Sequence, residues 1–466
     1  MKKKLYTICC IALSVPAIAQ ESPPTQTVFF EKTPQIQPEL LLNQPSINTP
    51  ISTSLPEGSS LEESINFAIV NKDWQKLEKL LAQYRTNTNL DPILYDYGLG
   101  ALYRYQGRQK EAIALYQQIL KRQSDLHYPR FDLAMMLYED KRYAESKMHL
   151  EEAGPYLSPP LQELASQIVG NIEKSQKWQP TLNLSYESTD NVNQASDLKE
   201  LVIGKATFIR SDESLPQDAH GISYDIGATQ EKNIKGNHYV YKNVSLGGIN
   251  YWDNSDYNEL TMQANLGYRY KEIKQSWGFI TTAEQNLLGG SQYNQNYAVT
   301  LEYNRQIADK WQVSGSISHL QKRYEDNELA SYYDGHANST AWIVLYQPKP
   351  RWLVYAGADL MRDDLADQSE SSDREGLRGG VAFAGNKINV KSNIRYARRD
   401  FKEENFFYDR KREDDEYQLR ATIGHKGFNW RGFTPELNYE YQKINSNLPL
   451  YERSNSTVFV EIAKQF

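Results

Sequence analysis

Along residues 260–270 apolar and polar positions alternate without a break. Leu260, Met262, Ala264, Leu266, Tyr268 and Tyr270 are separated by Thr261, Gln263, Asn265, Gly267 and Arg269. A period of two is that of a β-strand with one oily and one wet face. It recurs in Trp311, Val313, Gly315 and Ile317 against Gln312, Ser314, Ser316 and Ser318, and in Tyr417, Leu419, Ala421 and Ile423 against Gln418, Arg420, Thr422 and Gly424. Fourteen such segments begin near 179, 221, 238, 258, 275, 293, 310, 337, 351, 375, 387, 415, 435 and 456, with a further candidate at Leu201 to Ile209. The connections alternate too. Short turns fall near Glu272–Lys274, Ala308–Lys310, Pro348–Pro350 and Gly385–Lys387, and long polar loops near Tyr324–Gly335, Asp363–Asp373, Phe401–Asp415 and Ile444–Asn455. A soluble sandwich also alternates along its strands but needs no such asymmetry of connections, whereas outer-membrane barrels have it, with the short turns in the periplasm. Counting back from a periplasmic C-terminus, the strand at 221 runs inward and that at 179 outward. The segment at 201 then belongs to the first outer loop or folds into the lumen. The expectation is a 14-stranded antiparallel barrel, with 16 strands as the alternative, and a polar inner face that predicts a hydrated lumen.

Between Leu61 and Trp178 the period becomes helical and a 34-residue self-similarity appears, the length of a tetratricopeptide (TPR) unit. Leu99-Gly100, Tyr103, Ala112 and Tyr116 recur as Leu133-Ala134, Leu137, Ser146 and Leu150. The small residues let paired helices approach, and the large ones fill the space between them. Gly107 fits the turn inside the first of these units, where left-handed backbone costs glycine little. Lys141 stands there in the second, which predicts a different turn. A degenerate copy precedes them, with Trp74 in the place of Tyr143, and Pro159-Pro160 opens a last helix to about Lys177.

Composition adds targeting and removes chemistry. Lys2, Lys3 and Lys4, an apolar run from Leu5 to Val15 and Ala17-Ile18-Ala19 make a secretory signal with expected cleavage after Ala19. The apolar run is far short of the roughly 20 residues a spanning helix needs. Gln20 to about Ser60, with seven prolines among Thr, Ser, Gln and Asn, lacks the apolar content to order itself. Both cysteines, Cys9 and Cys10, lie in the signal, so the mature chain has no thiol for disulfide, redox, metal or nucleophile chemistry. Loss of three lysines takes the net charge from −7 to −10, which argues against nucleic acid. The 33 tyrosines suit membrane interfaces. Histidines 127, 149, 220, 238, 319, 336 and 425 show no metal-ligand spacing, and no G-x-S-x-G elbow or phosphate-binding loop occurs. Asp363-Asp364 and Glu413-Asp414-Asp415 read as solvated loop charges. No residue is assigned as catalytic, cofactor-binding or metal-ligating. No cofactor or enzyme activity is expected.

Two stretches carry a family likeness: Ser188-Thr189-Asp190-Asn191-Val192-Asn193-Gln194-Ala195 where the barrel opens, and, near its end, Gly432-Phe433-Thr434-Pro435-Glu436-Leu437, Ser446-Asn447, Tyr451, Arg453 and Val458-Phe459-Val460 through Lys464 to Phe466. With the repeats, over about 70–466, they resemble the surface lipoprotein assembly modulators, the Slam family. Exopolysaccharide export porins also place TPR repeats before a barrel, usually many more of them. The residue patterns together predict an α+β multidomain chain: 1–19 signal peptide, 20–60 disordered leader, 61–178 periplasmic TPR-like helical domain and 179–466 outer-membrane β-barrel. The resemblance implies delivery of a client surface lipoprotein or secreted protein of the iron- or haem-acquisition type to the cell surface. Outer-membrane lipid, barrel-assembly machinery and periplasmic chaperones are the other expected partners. The alternatives are a polysaccharide export channel and a passive diffusion porin.

Overall fold

The computed structural model describes residues 59–203, 206–428 and 434–465. The expected signal peptide, nearly all of the leader, Gly432, Phe433 and Phe466 lie outside the described residues. Seven helices come first among those described: α1 (Leu61–Val70), α2 (Trp74–Tyr84), α3 (Pro92–Tyr105), α4 (Gln109–Arg122), α5 (His127–Glu139), α6 (Tyr143–Ala153) and α7 (Pro159–Ser175). Ser60 starts α1 with a reciprocal capping box to Glu63. Asp91 caps α3, whose first residue is Pro92. The pairs α1–α2, α3–α4 and α5–α6 stack as TPR-like hairpins, and Ala112, Ala134 and Ser146 are fully buried where the helices meet. The Ser146 hydroxyl donates to the Ala134 carbonyl at 2.8 Å across one such contact.

The three intra-unit turns are alike, contrary to the expectation for Lys141. Lys72 (φ 53°), Gly107 (φ 76°) and Lys141 (φ 64°) share the left-handed conformation. Each turn is closed by the same hydrogen bonds: Asp73 N to Ala68 O, Arg108 N to Tyr103 O and Arg142 N to Leu137 O. The helix-ending pattern dictates the backbone, and lysine tolerates it at a cost of about 1–2 kcal/mol.

The strands are β1 (Gln179–Thr189), β2 (Glu200–Ile203), β3 (Ala206–Ile209), β4 (Ala219–Lys235), β5 (His238–Tyr251), β6 (Glu259–Lys271), β7 (Gln275–Leu288), β8 (Ser291–Ala308), β9 (Trp311–Tyr324), β10 (Gly335–Lys349), β11 (Trp352–Leu365), β12 (Ser372–Ala384), β13 (Ile388–Asn405), β14 (Arg410–His425), β15 (Thr434–Ser446) and β16 (Arg453–Gln465), with helix α8 (Asn327–Tyr333) between β9 and β10. All but β2 and β3 form one closed antiparallel barrel of 14 strands, sealed where β1 pairs with β16 from Thr181↔Gln465 to Thr189↔Thr457. The single segment expected at Leu201 to Ile209 is instead two short strands, β2 and β3, paired with each other apart from the barrel in the connection from β1 to β4.

Outward positions follow the dyad read from the sequence. Ile317, Val344, Leu360, Leu377, Ile394 and Leu419 are exposed around the middle of the wall. Stacked Trp311–Tyr346 and Tyr270–Trp277 and tilted Trp352–Phe383 mark the end nearer the helices, and stacked Tyr186–Trp252 and tilted Tyr396–Tyr417 the distal end. An apolar band between aromatic girdles is the surface of an outer-membrane barrel.

Turns at the helix end are as short as expected, and the long loop at Tyr324–Gly335 lies where expected, but the other distal loops expected near 363–373, 401–415 and 444–455 are shorter. β13 has 18 residues and β14 has 16, well over the ~9–11 that cross a bilayer. Hydrogen-bonded strand continues past the apolar band, so Asp363 and Asp364 lie on β11 and Glu413, Asp414 and Asp415 on β14. The polar composition of those stretches belongs to strand ends in water, not to loops.

Candidate functional site

Three features meet in and around the barrel: the docked helices, the lumen and the distal roof. Docking centres on the β4–β5 turn, which reaches into the α5–α6 turn. Asn237 donates through Nδ2 to the carbonyls of Asp140 and Lys271, each at 2.6 Å. Tyr239 donates its hydroxyl to the Lys141 carbonyl, so the strained turn supplies an acceptor to the barrel. Asn233 Oδ1 accepts from Ala144 N at 2.8 Å at the start of α6, and Glu145 Oε1 accepts from Gly236 N at 3.0 Å. Gln176, just past α7, bonds Gln230 and Asn233. On the next turn Lys110 of α4 pairs with Glu272 at 2.7 Å. The bond to Glu272 holds the Lys110 ammonium above its ordinary range. Burial pushes the Glu272 carboxyl up, but its bonds to Lys110, Gln275 and Tyr270 prevail and leave it lowered. Burial raises the Asp140 carboxyl beside Asn237.

The lumen is polar but knitted together rather than simply hydrated. Asn243, Asn265 and Thr282 form a chain across β5, β6 and β7 at 2.8 and 2.6 Å. Thr300 and Ser318 bond at 2.9 Å, and both are buried. Nearer the helices Arg269 bridges Glu231 of β4 and Glu302 of β8 while lying 4.0 Å from the Tyr241 ring centroid. Toward the distal end Asp359 takes Arg378 at 2.5 Å, Arg395 at 2.8 Å and Arg374 at 3.5 Å. Glu416 takes Arg374 at 2.7 Å and Arg399 at 3.0 Å. Beside this ladder a cavity of about 580 Å³ remains, with Val192, Asn193 and Gln194 in its lining.

Those three belong to the 188–195 motif, which folds over the distal mouth and ties the seam of the barrel. Asp190 Oδ1 accepts from Ser456 N at 2.8 Å, and Asn191 Nδ2 donates to the carbonyls of Ala195 and Ser454 at 2.8 Å. Thr189 bonds Asn455 at 2.7 Å. Small cores brace this roof. Leu448, Leu450 and Tyr451 pack with Leu198 and Tyr408, and Tyr293, Tyr324, Tyr333 and Leu365 pack around α8. Arg412 lies between the rings of Phe401 and Tyr451, 4.4 and 3.9 Å from their centroids, and pairs with the buried Asp414 at 2.5 Å. In the loop at 366–371, burial pushes the Glu370 carboxyl up to about 7.

The acid runs read as solvated loop charges therefore divide by face. Asp363 is buried against Lys322 at 2.9 Å and Asp414 against Arg412, while Asp364 faces outward to Lys402 and His336. The histidines are scattered, with His127 stacked on Tyr156 and His319 beside His336. Among the described residues no group of three or more His, Cys, Asp or Glu could hold a metal ion. Sequence reasoning missed Asn233, Gly236, Asn237 and Tyr239. Asn and Gly in a tight turn are ordinary turn residues, and nothing local marks a turn that also docks a helix.

A family model described as "Surface lipoprotein assembly modifier" matches residues 178–466, and one described as its "N-terminal TPR repeats" matches 55–150. A surface lipoprotein assembly modifier of Pasteurella multocida is 24% identical over 96% of this chain and 91% of its own length. Surface lipoprotein assembly modifier 1 of Haemophilus influenzae is 26% identical over 86% of this chain and 83% of its own. The hemophilin secretion modulator of Acinetobacter baumannii is 22% identical over 88% and 86% respectively.

Proposed function

The chain belongs to the surface lipoprotein assembly modifier family, and from that premise we propose that it delivers a partner protein to the outer face of the outer membrane. The client is a surface lipoprotein or a secreted protein of the iron- or haem-acquisition type, a reading supported by relatives named for surface lipoprotein assembly and for hemophilin secretion. One structural observation carries the reading: a helical repeat stack, of the kind that binds peptides, is fastened to one rim of the barrel by the β4–β5 and β6–β7 turns. A polypeptide held by the stack is thereby held at the mouth.

The orientation we propose puts the helices in the periplasm. Five of the six turns at their end have two or three residues, whereas the distal connection from β1 to β4 runs from 190 to 218, and short turns belong on the periplasmic side. The role we propose is non-catalytic, with the driving force coming from folding of the client outside the cell. Deleting the gene and biotinylating surface proteins of intact cells tests the reading. Loss of at least one surface lipoprotein or secreted protein, restored by the full-length gene, is the expected outcome. A strain that displays and secretes its full complement would refute it.

A further inference from the structure

The distal lumen cavity is electrically lopsided beyond what holding the barrel together requires. Its β12–β14 side carries Arg374, Arg378, Arg395 and Arg420. Asp359 and Glu416 serve Arg374, Arg378, Arg395 and Arg399 together, so four cations share two carboxylates there. Among the described residues the buried Nε of Arg395 has no hydrogen-bond partner. Arg420 makes no ion pair among the described residues; it stands opposite Glu440 of β15 in the strand register and lies over the Phe459 ring, 4.9 Å from its centroid.

The other side is the reverse. Glu187 of β1 and Glu259 of β6 line the cavity, and among the described lining residues β1, β4, β5 and β6 contribute no lysine or arginine, while β15, between the two sides, contributes both Glu440 and Lys443. Among the described residues Glu187 makes no ion pair; the Tyr251 hydroxyl lies 3.5 Å away, and Arg420 and Glu440 are within electrostatic reach. In the closed ring of strands β6 is seven places from β13 in either direction, so Glu259 and Arg395 lie on diametrically opposite strands. Charges needed only for stability would sit beside their counterions, as Arg269 sits with Glu231 and Glu302. Between Glu259 and Arg395 the field runs across the open space, and low-dielectric walls strengthen it.

We propose that this cavity binds a short extended peptide segment carrying both signs of charge, laid across the lumen. Its carboxylate meets Arg378, Arg395 and Arg420, and its ammonium or guanidinium meets Glu187 and Glu259. At about 580 Å³ the space falls in the ~300–1,000 Å³ range of ligand pockets, more than one free amino acid fills. The assignment rests on the proposed delivery of a client polypeptide, of which this segment is a part in transit.

Calorimetry on the detergent-solubilised mature chain tests it with end-blocked tetrapeptides: Asp-Gly-Gly-Lys as the probe, and Asp-Gly-Gly-Asp and Lys-Gly-Gly-Lys as same-sign controls. The mixed-charge peptide should bind about tenfold more tightly than either control, with affinity falling as salt rises. Arg420→Gln and Glu259→Gln should each weaken it about tenfold. Neither substitution breaks an ion pair among the described residues, so the barrel should fold, and its heat-modifiable band on electrophoresis checks that it has. Equal affinity for the three peptides, competition by free glycine as strong as by the probe, or indifference to both substitutions would overturn the proposal. Failure here with a positive gene-deletion result removes the cavity site and leaves client delivery standing. A negative deletion result with binding intact does the opposite.

Discussion

Single positions in the helical stack show how closely it is packed. A methyl added at Gly100 would come within 2.5 Å of the Tyr116 ring, and Tyr116 is itself buried between α4 and its neighbours. Gly100→Ala should therefore lose about 1–3 kcal/mol, seen as an earlier helical melt by far-ultraviolet dichroism; an unchanged melt would mean that the ring moves aside freely. Asp132 makes the opposite case. It accepts from the Tyr97 hydroxyl at 2.7 Å, yet burial raises its carboxyl above the ordinary value. An acid raised on folding binds its proton more tightly in the native state. Stability then falls as pH rises from the unfolded value through the folded one. Asp132→Asn keeps an acceptor and removes that charge, so its melting temperature relative to the parent should climb as the buffer moves from about pH 4 to about pH 7. A difference that stays flat with pH would show that the carboxylate carries no such penalty.

At the scale of elements, the docking hairpin works as a clasp. Asn237→Ala removes the donors to Asp140 and Lys271, at about 0.5–1.5 kcal/mol for each bond, and Tyr239→Phe removes the one to Lys141. The double variant should leave the barrel closed but free the helices to swing, so limited trypsinolysis should cut after Lys177 sooner than in the parent. Cleavage at the parental rate would mean that Asn233, Glu145 and Lys110 suffice. This clasp was hidden in the sequence, while most of the fold around it was plain. Strand starts expected at 238, 258, 275, 310, 351, 387 and 435 fall within a residue of those observed, because every strand must keep one apolar face toward lipid. Past the lipid that constraint lapses. Strand ends at 291–293, 335–337, 372–375 and 410–415 look like loop in the sequence, since their pairing is set by backbone hydrogen bonds, to which hydrophobic period is blind. Lys141 was misread for a related reason: the turn's conformation is imposed by helix ends and by Tyr239, not by the residue that adopts it. The seam clamp lay within a motif legible as a likeness, but its role needed the pairing of Asp190 and Asn191 with Ser454 and Ser456, some 265 residues away.

For the whole molecule, an even ring of strands has a topological consequence. Gln179, where the helices hand over to β1, and Gln465, the end of β16, lie at the same rim. The helices and the C-terminal end of the barrel therefore face the same compartment, and the tip of the β13–β14 hairpin faces the other. That tip carries Phe406, 87% exposed, while Lys110 stands with the helices beside Glu272. Both cysteines of the sequence precede residue 11, so if the signal is removed a single introduced thiol reports without background. Phe406→Cys should be labelled by a membrane-impermeant maleimide on intact cells. Lys110→Cys should be labelled only after the outer membrane is permeabilised. The reverse pattern would put the repeat stack outside the cell, where it could receive a client only after passage. Labelling of both thiols on intact cells would mean that the barrel admits the reagent past its distal roof, making the lumen a path for solutes.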